Sequence, residues 1–461
     1  MGMTPQIPYD RRVTNAPEFS DATLTGMTAL DALRRWPASR PLAALVSGPG
    51  SGRWSRRSIL AEPRETRVIR VPQGIAAADA RKAVDRELRQ LLVPRRTPGA
   101  TNDTRGVWIV SFSYDLGRII EPSAHAARGA VDDRDWPLAT LCWCPDAMVL
   151  DHATGGWTRI GNPPELASEP HDASVTVGEL ERTTDRTGFE RAVERCVRLI
   201  HDGDLFQANI ARRLSAHFSG STRALAARAF SESGAWFGAY VECGEGRALL
   251  SMSPELFLDL DASSRRVVTR PIKGTRPQSD DASTLATSEK DGAELAMIVD
   301  LMRNDLGRVC DIGSVRVDAP RLIETHPTVH HAVAEISGRL RDDIDLVGLL
   351  GATFPPGSVT GAPKVRAMQV IDELEPVRRG PYCGATGLIA SDGSCTLNVA
   401  IRTITIAGRG DHRRPGHIDG TLDYWAGCGI VAESRPADEW EESVTKTAVL
   451  LRALAATGSR E

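Results

Sequence analysis

The stretch Arg270-Pro271-Ile272-Lys273-Gly274-Thr275-Arg276-Pro277 places a lysine between two arginines. The chain contains only five lysines, Lys82, Lys273, Lys290, Lys364 and Lys446, and carries its other positive charges on arginine. An arginine stays protonated, whereas a desolvated lysine can lose its proton and then act as a nucleophile or a base. Because residues 267–269 read as a strand, Lys273 is predicted where that strand ends and a loop begins, a common position for a site. A solvated lysine in a turn is the ordinary alternative.

Length and composition narrow the class of protein. The 461 residues are enough for two or three ordinary domains or one large one, and 41% apolar and 25% charged residues are typical of soluble globular proteins. A net charge of −4 without a strongly basic block argues against a nucleic-acid partner. No apolar run approaches the roughly 18 residues that cross a bilayer, and residues 1–12 lack the regions of a signal peptide. Eight scattered cysteines without a CxxC pair favour a reducing cytoplasm.

The apolar patterns predict an α+β fold with antiparallel β-sheets packed together and flanked by helices, because strands and helices alternate without a steady βαβ rhythm. Residues 1 to about 30 read as a loosely packed leader. The sequence divides into an N-terminal segment, 1–165, whose strands contribute to a shared core, a linker, 166–185, and a main unit, 186–455. The linker prediction rests on a stretch rich in Pro, Ser, Glu and Asp with little periodicity.

Local patterns give four more detailed expectations. A single strand is predicted over 398–406 and a single last helix over about 438–454. A helix over about 363–374 would have Pro363 in its first turn. Two glycine stretches, 357–364 and 427–429, could present backbone N–H groups to an anion. Neither stretch matches a Walker loop or GxGxxG, so a nucleotide is not expected.

Two predicted helices carry acids at helical spacing. Asp291 and Glu294 are three residues apart, as are Glu439 and Glu442, so each pair shares one helix face. Facing each other, these acids would suit Mg²⁺, which takes one or two carboxylates and keeps several waters. Two solvated acidic faces are the alternative, with Glu442 and Lys446 as an ordinary i, i+4 ion pair.

Two further residues are candidates for work on an anionic substrate. Arg402 could grip a carboxylate bidentately. His331 could be a general acid or base, although such histidines are more often structural. Together with the acids, these residues indicate a small polyanionic substrate and a divalent metal.

Six motifs resemble those of the chorismate-utilising enzymes, which include the first components of anthranilate synthase and aminodeoxychorismate synthase and the isochorismate and salicylate synthases. The motifs span Pro271–Pro277, Glu294–Gly307, Phe354–Met368, Arg379–Gly384, Asn398–Arg402 and Ala426–Val431. The resemblance is dense from about 189 to 454 and weaker before that. It implies the anthranilate synthase component I-like fold, with 186–455 as the chorismate-binding catalytic domain.

Two positions imply which reaction of this family to expect. Anthranilate synthases usually have Ala where this chain has Lys273, whereas lysine marks many aminodeoxychorismate synthases and is thought to attack C2 of chorismate. Gln207 falls where isochorismate and salicylate synthases carry the lysine that activates water, and a glutamine cannot be that base. The resemblance therefore implies attack by ammonia.

The resemblance also implies roles for the remaining site residues. Glu255 resembles the general acid for the departing hydroxyl, and His331 matches a histidine near the ring. Glu294 and Glu442 resemble direct Mg²⁺ ligands, with Asp291 and Glu439 acting through water or as occasional ligands. The substrate-binding set would be Gly274, Thr275, Thr360, Tyr382, Arg402, Gly427, Gly429 and Lys446.

The chain shows no glutaminase signature, so ammonia would come from solution or from a separate glutamine amidotransferase subunit. The favoured reading is the chorismate-binding component of aminodeoxychorismate synthase. Anthranilate synthase component I and a non-catalytic chorismate- or tryptophan-binding regulatory homologue are the alternatives.

Overall fold

The computed structural model describes residues 19–20, 24–48, 52–72, 77–92, 106–126, 129–171, 174–327 and 329–455. Most of the expected leader, residues 1–18 and 21–23, lies outside the described residues. The helices are α1 (Ala29–Arg35), α2 (Ala77–Leu91), α3 (Leu116–Ile120), α4 (Arg186–His201), α5 (Thr222–Ser233), α6 (Ala282–Thr287), α7 (Glu289–Gly307), α8 (Leu346–Thr353), α9 (Lys364–Leu374), α10 (Pro436–Thr445) and α11 (Ala448–Ala455). No helix among these residues is long and apolar enough to cross a membrane.

The described strands are β1 (Phe19–Ser20), β2 (Ala43–Val46), β3 (Arg57–Glu62), β4 (Glu65–Ile69), β5 (Val107–Phe112), β6 (Ala139–Cys144), β7 (Asp146–Asp151), β8 (Gly156–Ile160), β9 (Val175–Val177), β10 (Glu181–Arg182), β11 (Gln207–Ser221), β12 (Phe237–Gly244), β13 (Arg247–Ser253), β14 (Leu256–Asp261), β15 (Arg266–Arg270), β16 (Ile272–Pro277), β17 (Arg316–Thr325), β18 (Val329–Arg339), β19 (Gly361–Ala362), β20 (Ala385–Ala390), β21 (Cys395–Val399), β22 (Thr403–Gly410) and β23 (His417–Ile430).

These strands form two large sheets. The first has the order β1-β8-β7-β3-β2-β12-β13-β22-β23-β11-β10, with β9 and β19 also paired to β11. The second has the order β16-β18-β15-β14-β21-β20-β5-β6-β4, with β17 paired to β18. All ladders between these strands are antiparallel, which confirms the predicted α+β class.

The two sheets pack against each other through side chains from both parts of the sequence. Ile59 of β3 and Leu249 of β13, from the first sheet, share a buried cluster with Ile109 of β5 and Leu388 of β20, from the second. Strands from before residue 165 and after residue 186 are neighbours within each sheet, as at β2–β12 and β5–β20. The stretch predicted as a linker, 166–185, contributes the short strands β9 and β10.

Three local predictions are wrong. The strand expected over 398–406 is two strands, because the chain leaves the second sheet after β21 and enters the first sheet at β22. Arg402 makes this crossing with φ of +49°. The single last helix is two, α10 and α11, separated at 446–447. Pro363 is the N-cap of α9 rather than a residue of its first turn. The stretch 427–429, for which no secondary structure was predicted, is part of β23.

Candidate active site

Lys273 lies in a β-bulge, not at the expected junction of strand and loop. Pro271, which has no N–H, separates strand β15 from strand β16. Pairing then continues with β18, but the register shifts between Ile272 and Thr275, so Lys273 and Gly274 bulge out. Gly274 has φ of +84°, which favours glycine. Bulges redirect side chains, and this one directs Lys273 toward the first sheet.

The lysine amine meets the first sheet at a glycine of β23. A Cβ atom added to Gly429 would lie 2.7 Å from Nζ of Lys273 and 2.9 Å from Nε2 of Gln207. Gly429 is opposite Asn209 in the β11–β23 ladder, two residues beyond Gln207. Only a residue without a side chain leaves room here for both groups.

Neither of these two side chains has a hydrogen-bond partner among the described residues. Both carboxamide atoms of Gln207 are buried and unpaired, and the residue is 0% exposed. The amine of Lys273 is surrounded by ionisable groups but makes no ion pair within 4.0 Å in the described part of the chain. Burial lowers the pKa of Lys273, assisted by Lys446 and opposed by Glu294 and Glu255. The amine therefore loses its proton more readily than an exposed lysine.

Glu255 is a buried carboxyl group near this amine. It follows β13, and burial raises its pKa to about 7. The hydroxyl of Ser358, the charge of Lys273 and the backbone N–H of Ile272 act in the opposite direction. A carboxyl group with this pKa is protonated in a large fraction of molecules at neutral pH and can donate a proton.

His331 and Arg402 lie on another side of the site. Nδ1 of His331 is 2.9 Å from the hydroxyl of Thr275, and its Nε2 is buried without a partner among the described residues. Burial, followed by the charges of Arg402 and His326, holds the pKa of His331 well below its usual range, so the ring is neutral. Arg402 is half-buried, and its guanidinium has no hydrogen bond or ion pair to the residues that the structure describes. It is available to bind a ligand carboxylate.

Tyr382 lies near Gly427, another glycine of β23. Its hydroxyl would be 3.1 Å from a Cβ on Gly427, and its ring stacks on Trp425 with centroids 5.6 Å apart and planes at 5°. Thr360 is fully buried and donates to the carbonyls of Pro356 and Gly357 at 3.1 and 3.2 Å.

The four acids come from α7 and α10. Burial raises the pKa of Glu294, and the charges of Asp291 and Glu442 raise it further, so carboxylates of both helices lie near one another. Burial raises the pKa of Glu439 as well, while Ser434 donates to it at 2.7 Å. Asp291 accepts a hydrogen bond from Nη2 of Arg276 at 2.7 Å.

Lys446 occupies the space between α10 and β23. Its Nζ lies 2.7 Å from Glu442 and donates to the carbonyl of Gly427 at 2.8 Å. Burial acts to raise the pKa of Glu442, but Lys446 outweighs it and the net shift is downward. The atoms of Glu439, Glu442 and Cys428 that could bind a metal ion lie within 4.8 Å of one another. Clustered carboxylates that raise one another's pKa fit a hard divalent cation such as Mg²⁺.

The structure thus brings Lys273, Gln207 and Gly429 together, and the charges that act on the amine of Lys273 are those of Glu294, Lys446, Glu255 and Glu442. Several neighbours were not predicted. Ser358 contacts Glu255, Trp425 stacks on Tyr382, and Glu375 pairs with Arg379 behind that tyrosine. Ser358 and Arg379 lie within the quoted motifs. No sequence motif or spacing marked Glu375 as a site residue, because its role depends on a contact made after folding.

Comparisons with known proteins identify the family of this chain. A family model described as chorismate binding enzyme matches residues 51–452. Aminodeoxychorismate synthase component 1 of Escherichia coli is 36% identical over 357 residues, which cover 74% of this chain and 76% of that protein. Anthranilate synthase component 1 of Thermus thermophilus is 40% identical over 460 residues, which cover 93% of this chain and 95% of that protein.

Solved structures share the fold. The crystal structure of anthranilate synthase component I from Streptococcus pneumoniae superposes with a TM-score of 0.71 at 24% identity, covering 95% of this chain and all of that one. MenF, the menaquinone-specific isochorismate synthase of Escherichia coli, superposes with a TM-score of 0.68 at 18% identity, covering 95% of this chain and 94% of that one. These matches confirm the predicted anthranilate synthase component I-like fold. The chain belongs to the family of chorismate binding enzymes.

Proposed function

We propose that this chain is the chorismate-binding component of an aminodeoxychorismate synthase, which replaces the 4-hydroxyl of chorismate by ammonia. The observation that carries the proposal is the bulged Lys273, whose amine has a lowered pKa, beside a glutamine that cannot act as a base. A neutral amine has the lone pair that a nucleophile needs.

In the first step, the amine of Lys273 attacks C2 of the ring. A nitrogen–carbon bond forms at C2, both double bonds of the conjugated ring diene shift, and the bond from C4 to its hydroxyl breaks. Glu255 gives its proton to the departing hydroxyl, which leaves as water. A carboxyl group with a pKa of about 7 suits this role better than an exposed glutamic acid, because more of it is protonated.

In the second step, ammonia adds at C4. Both double bonds shift back and the bond between C2 and Lys273 breaks, so the lysine returns as an amine. One proton of the added ammonia returns to Glu255, and the product is 4-amino-4-deoxychorismate. Water would compete as the nucleophile if a base beside the ring activated it. Gln207, at the position where that base would stand, has no basic atom at neutral pH.

Substrate binding follows from the charged and polar groups around the amine. Tyr382 and the unpaired Arg402 would hold the enolpyruvyl carboxylate. Gly427, Gly429 and Lys446 would place the ring carboxylate, and Gly274, Thr275 and Thr360 would line the pocket, with His331 near the ring. Glu294 and Glu442 would hold Mg²⁺, with Asp291 and Glu439 acting through water. The cation would supply positive charge for binding the ring carboxylate.

The ammonia would come from a separate glutamine amidotransferase subunit or from solution. The Escherichia coli relative is named component 1, which supports a second component for this chain too. The product would then serve the synthesis of para-aminobenzoate and folate in the cytoplasm.

Anthranilate synthase component I is the second candidate, favoured by the match to the Thermus protein over nearly the whole chain. It would also release pyruvate and give an aromatic product. A chorismate- or tryptophan-binding regulatory homologue would need neither Lys273 nor the acids.

One experiment separates these candidates. The purified chain is incubated with chorismate, Mg²⁺ and ammonium, and the products are identified by mass spectrometry. We expect 4-amino-4-deoxychorismate. Anthranilate would reject the proposal in favour of the second candidate, and unchanged chorismate would favour the regulatory homologue.

A further inference from the structure

Strand β11 lacks a strand neighbour along part of one edge, just beyond Gln207. On that edge β19 pairs only with Gln207 and Ala208, and β10 pairs only from Leu214 onward. Between these points two backbone groups of β11 meet side chains instead. Asn209 accepts from Nη2 of Arg379 at 2.6 Å, and the N–H of Ala211 donates to Glu375 at 2.9 Å.

Glu375 and Arg379 form one buried ion pair behind the site. Nε and Nη2 of Arg379 donate to the two carboxylate oxygens of Glu375 at 2.9 and 2.6 Å, and the side chains are 1–2% exposed. Because each partner also bonds to the strand edge, the pair replaces the hydrogen bonds that a neighbouring strand would supply.

The same pair contacts two other segments of the site. Nη1 of Arg379 donates to the carbonyl of Val359 at 3.0 Å, next to Ser358 and Thr360. Its guanidinium carbon lies 5.8 Å from the ring centroid of Tyr382, within the range of a cation–π contact. Three segments that carry site residues therefore meet at one guanidinium.

We infer that Glu375 and Arg379 are positioning residues that set the distance between Gln207, Tyr382 and the loop of Ser358, and thereby select ammonia over water. Resting on the proposed function, this inference requires that a nucleophile enter beside Gln207. A displacement of about 1 Å at a reacting centre costs roughly 100-fold in rate. An ion pair that fixes three segments prevents such a displacement.

The test compares Arg379→Lys with a matched control, Arg223→Lys. Arg223 is also buried, also bonds both oxygens of a glutamate, Glu242, and also donates to backbone carbonyls, at Pro37 and Arg40. Lysine keeps the charge at both positions but loses the planar fork. The readouts are Tm, the KM for ammonium, and the ratio of aminated to hydroxylated product. The reactions are run in water labelled with heavy oxygen, so that mass spectrometry distinguishes hydroxylated product from unreacted chorismate.

We expect both variants to lower Tm, but only Arg379→Lys to lower kcat/KM, by roughly 100-fold, to raise the KM for ammonium and to increase the hydroxylated share. Unchanged kinetics of folded Arg379→Lys, or the same kinetic change in Arg223→Lys, would reject the inference. If Arg379→Lys does not fold, Glu375→Asp tests the same contacts with both charges kept. If neither variant folds, the pair is a folding element and the inference is wrong.

A failure of the proposed function would show separately, in the wild-type products. If the wild type makes anthranilate, the ratio of aminated to hydroxylated product still tests the positioning role. If it leaves chorismate unchanged, both the proposed function and this inference fall.

Discussion

The side-chain nitrogens of Lys273 and Gln207 approach the same point on the face of β23, each less than 3 Å from where a Cβ of Gly429 would stand. One nitrogen comes from a bulge of the second sheet and the other from the first residue of β11 in the first sheet. The site is therefore formed by residues of both sheets. The absence of a side chain at Gly429 leaves room for Lys273 and Gln207, the two residues on which the proposed choice of nucleophile depends.

Replacing Gly429 by alanine tests this arrangement. The added methyl would displace the flexible ends of Lys273 and Gln207 rather than backbone, so we expect the fold to survive and kcat/KM to fall by roughly 100-fold. Gly307→Ala is the control, because a Cβ there meets nothing within 4 Å. Equal activity of the two variants would show that the close approach does not matter.

Lys273→Arg tests the nucleophile. Arginine keeps the charge but offers no free lone pair, so amination should fall by at least roughly 100-fold, while the exposed Lys82→Arg leaves it unchanged. When ammonia is withheld from the wild type with chorismate present, peptide mapping should find a covalent adduct at Lys273. A trapped sample without that adduct would contradict the nucleophile role.

Glu255→Gln should remove activity and stabilise the protein at high pH. The folded carboxyl has a pKa of about 7, and the ordinary value is 4.5. Between these values the folded chain keeps a proton that the unfolded chain has lost, so wild-type stability decreases as pH rises from about 4.5 to 7. Glutamine avoids this loss, which reaches roughly 3 kcal/mol above pH 7.

Urea unfolding at about pH 4 and pH 8 measures this difference. We expect Glu255→Gln to gain stability over the wild type only at the higher pH. Glu441→Gln, which removes an exposed carboxylate, should show no such gain. A constant difference between wild type and Glu255→Gln across pH would mean that the buried carboxyl is not shifted.

Mg²⁺ should stabilise the chain through Glu294. A ligand at 100 times its Kd adds about 2.7 kcal/mol to the free energy of unfolding, so Tm should rise with Mg²⁺ and fall back with a chelator. Glu294→Gln should lose most of this rise, whereas Glu289→Gln, an exposed change on the same helix, should keep it. Calorimetric titration would check the affinity directly, and wild-type affinity in Glu294→Gln would remove that residue from the metal site.

Much of the fold was predictable because its signals are local. The apolar patterns predicted the α+β class with antiparallel sheets. Helical spacing placed the acids of α7 on one face of that helix and the acids of α10 on one face of the other. The crossing at Arg402 was not predictable, because apolar residues continue through it and only tertiary pairing separates β21 from β22. The bulge at Lys273 and Gly274 likewise depends on the register with β18, a strand more than 50 residues later.

The candidate site was also predictable only in part. Sequence motifs named the candidate site residues, because their chemistry follows from residue type. They did not reveal Glu375, whose carboxylate works through the N–H of Ala211 and the guanidinium of Arg379. Supporting contacts of this kind join residues far apart in sequence and leave no spacing pattern.

The alternation of early and late strands within both sheets has a consequence for how the protein is made. Val46 pairs with Gly238, and Ala385 pairs with Phe112, so early strands must wait on the ribosome for partners synthesised much later. Such long-range pairing slows folding and leaves strand edges open meanwhile. A nascent chain stopped near residue 165 would expose the edges of β2 and β5, so we expect it to aggregate more readily than a chain whose domains fold in turn.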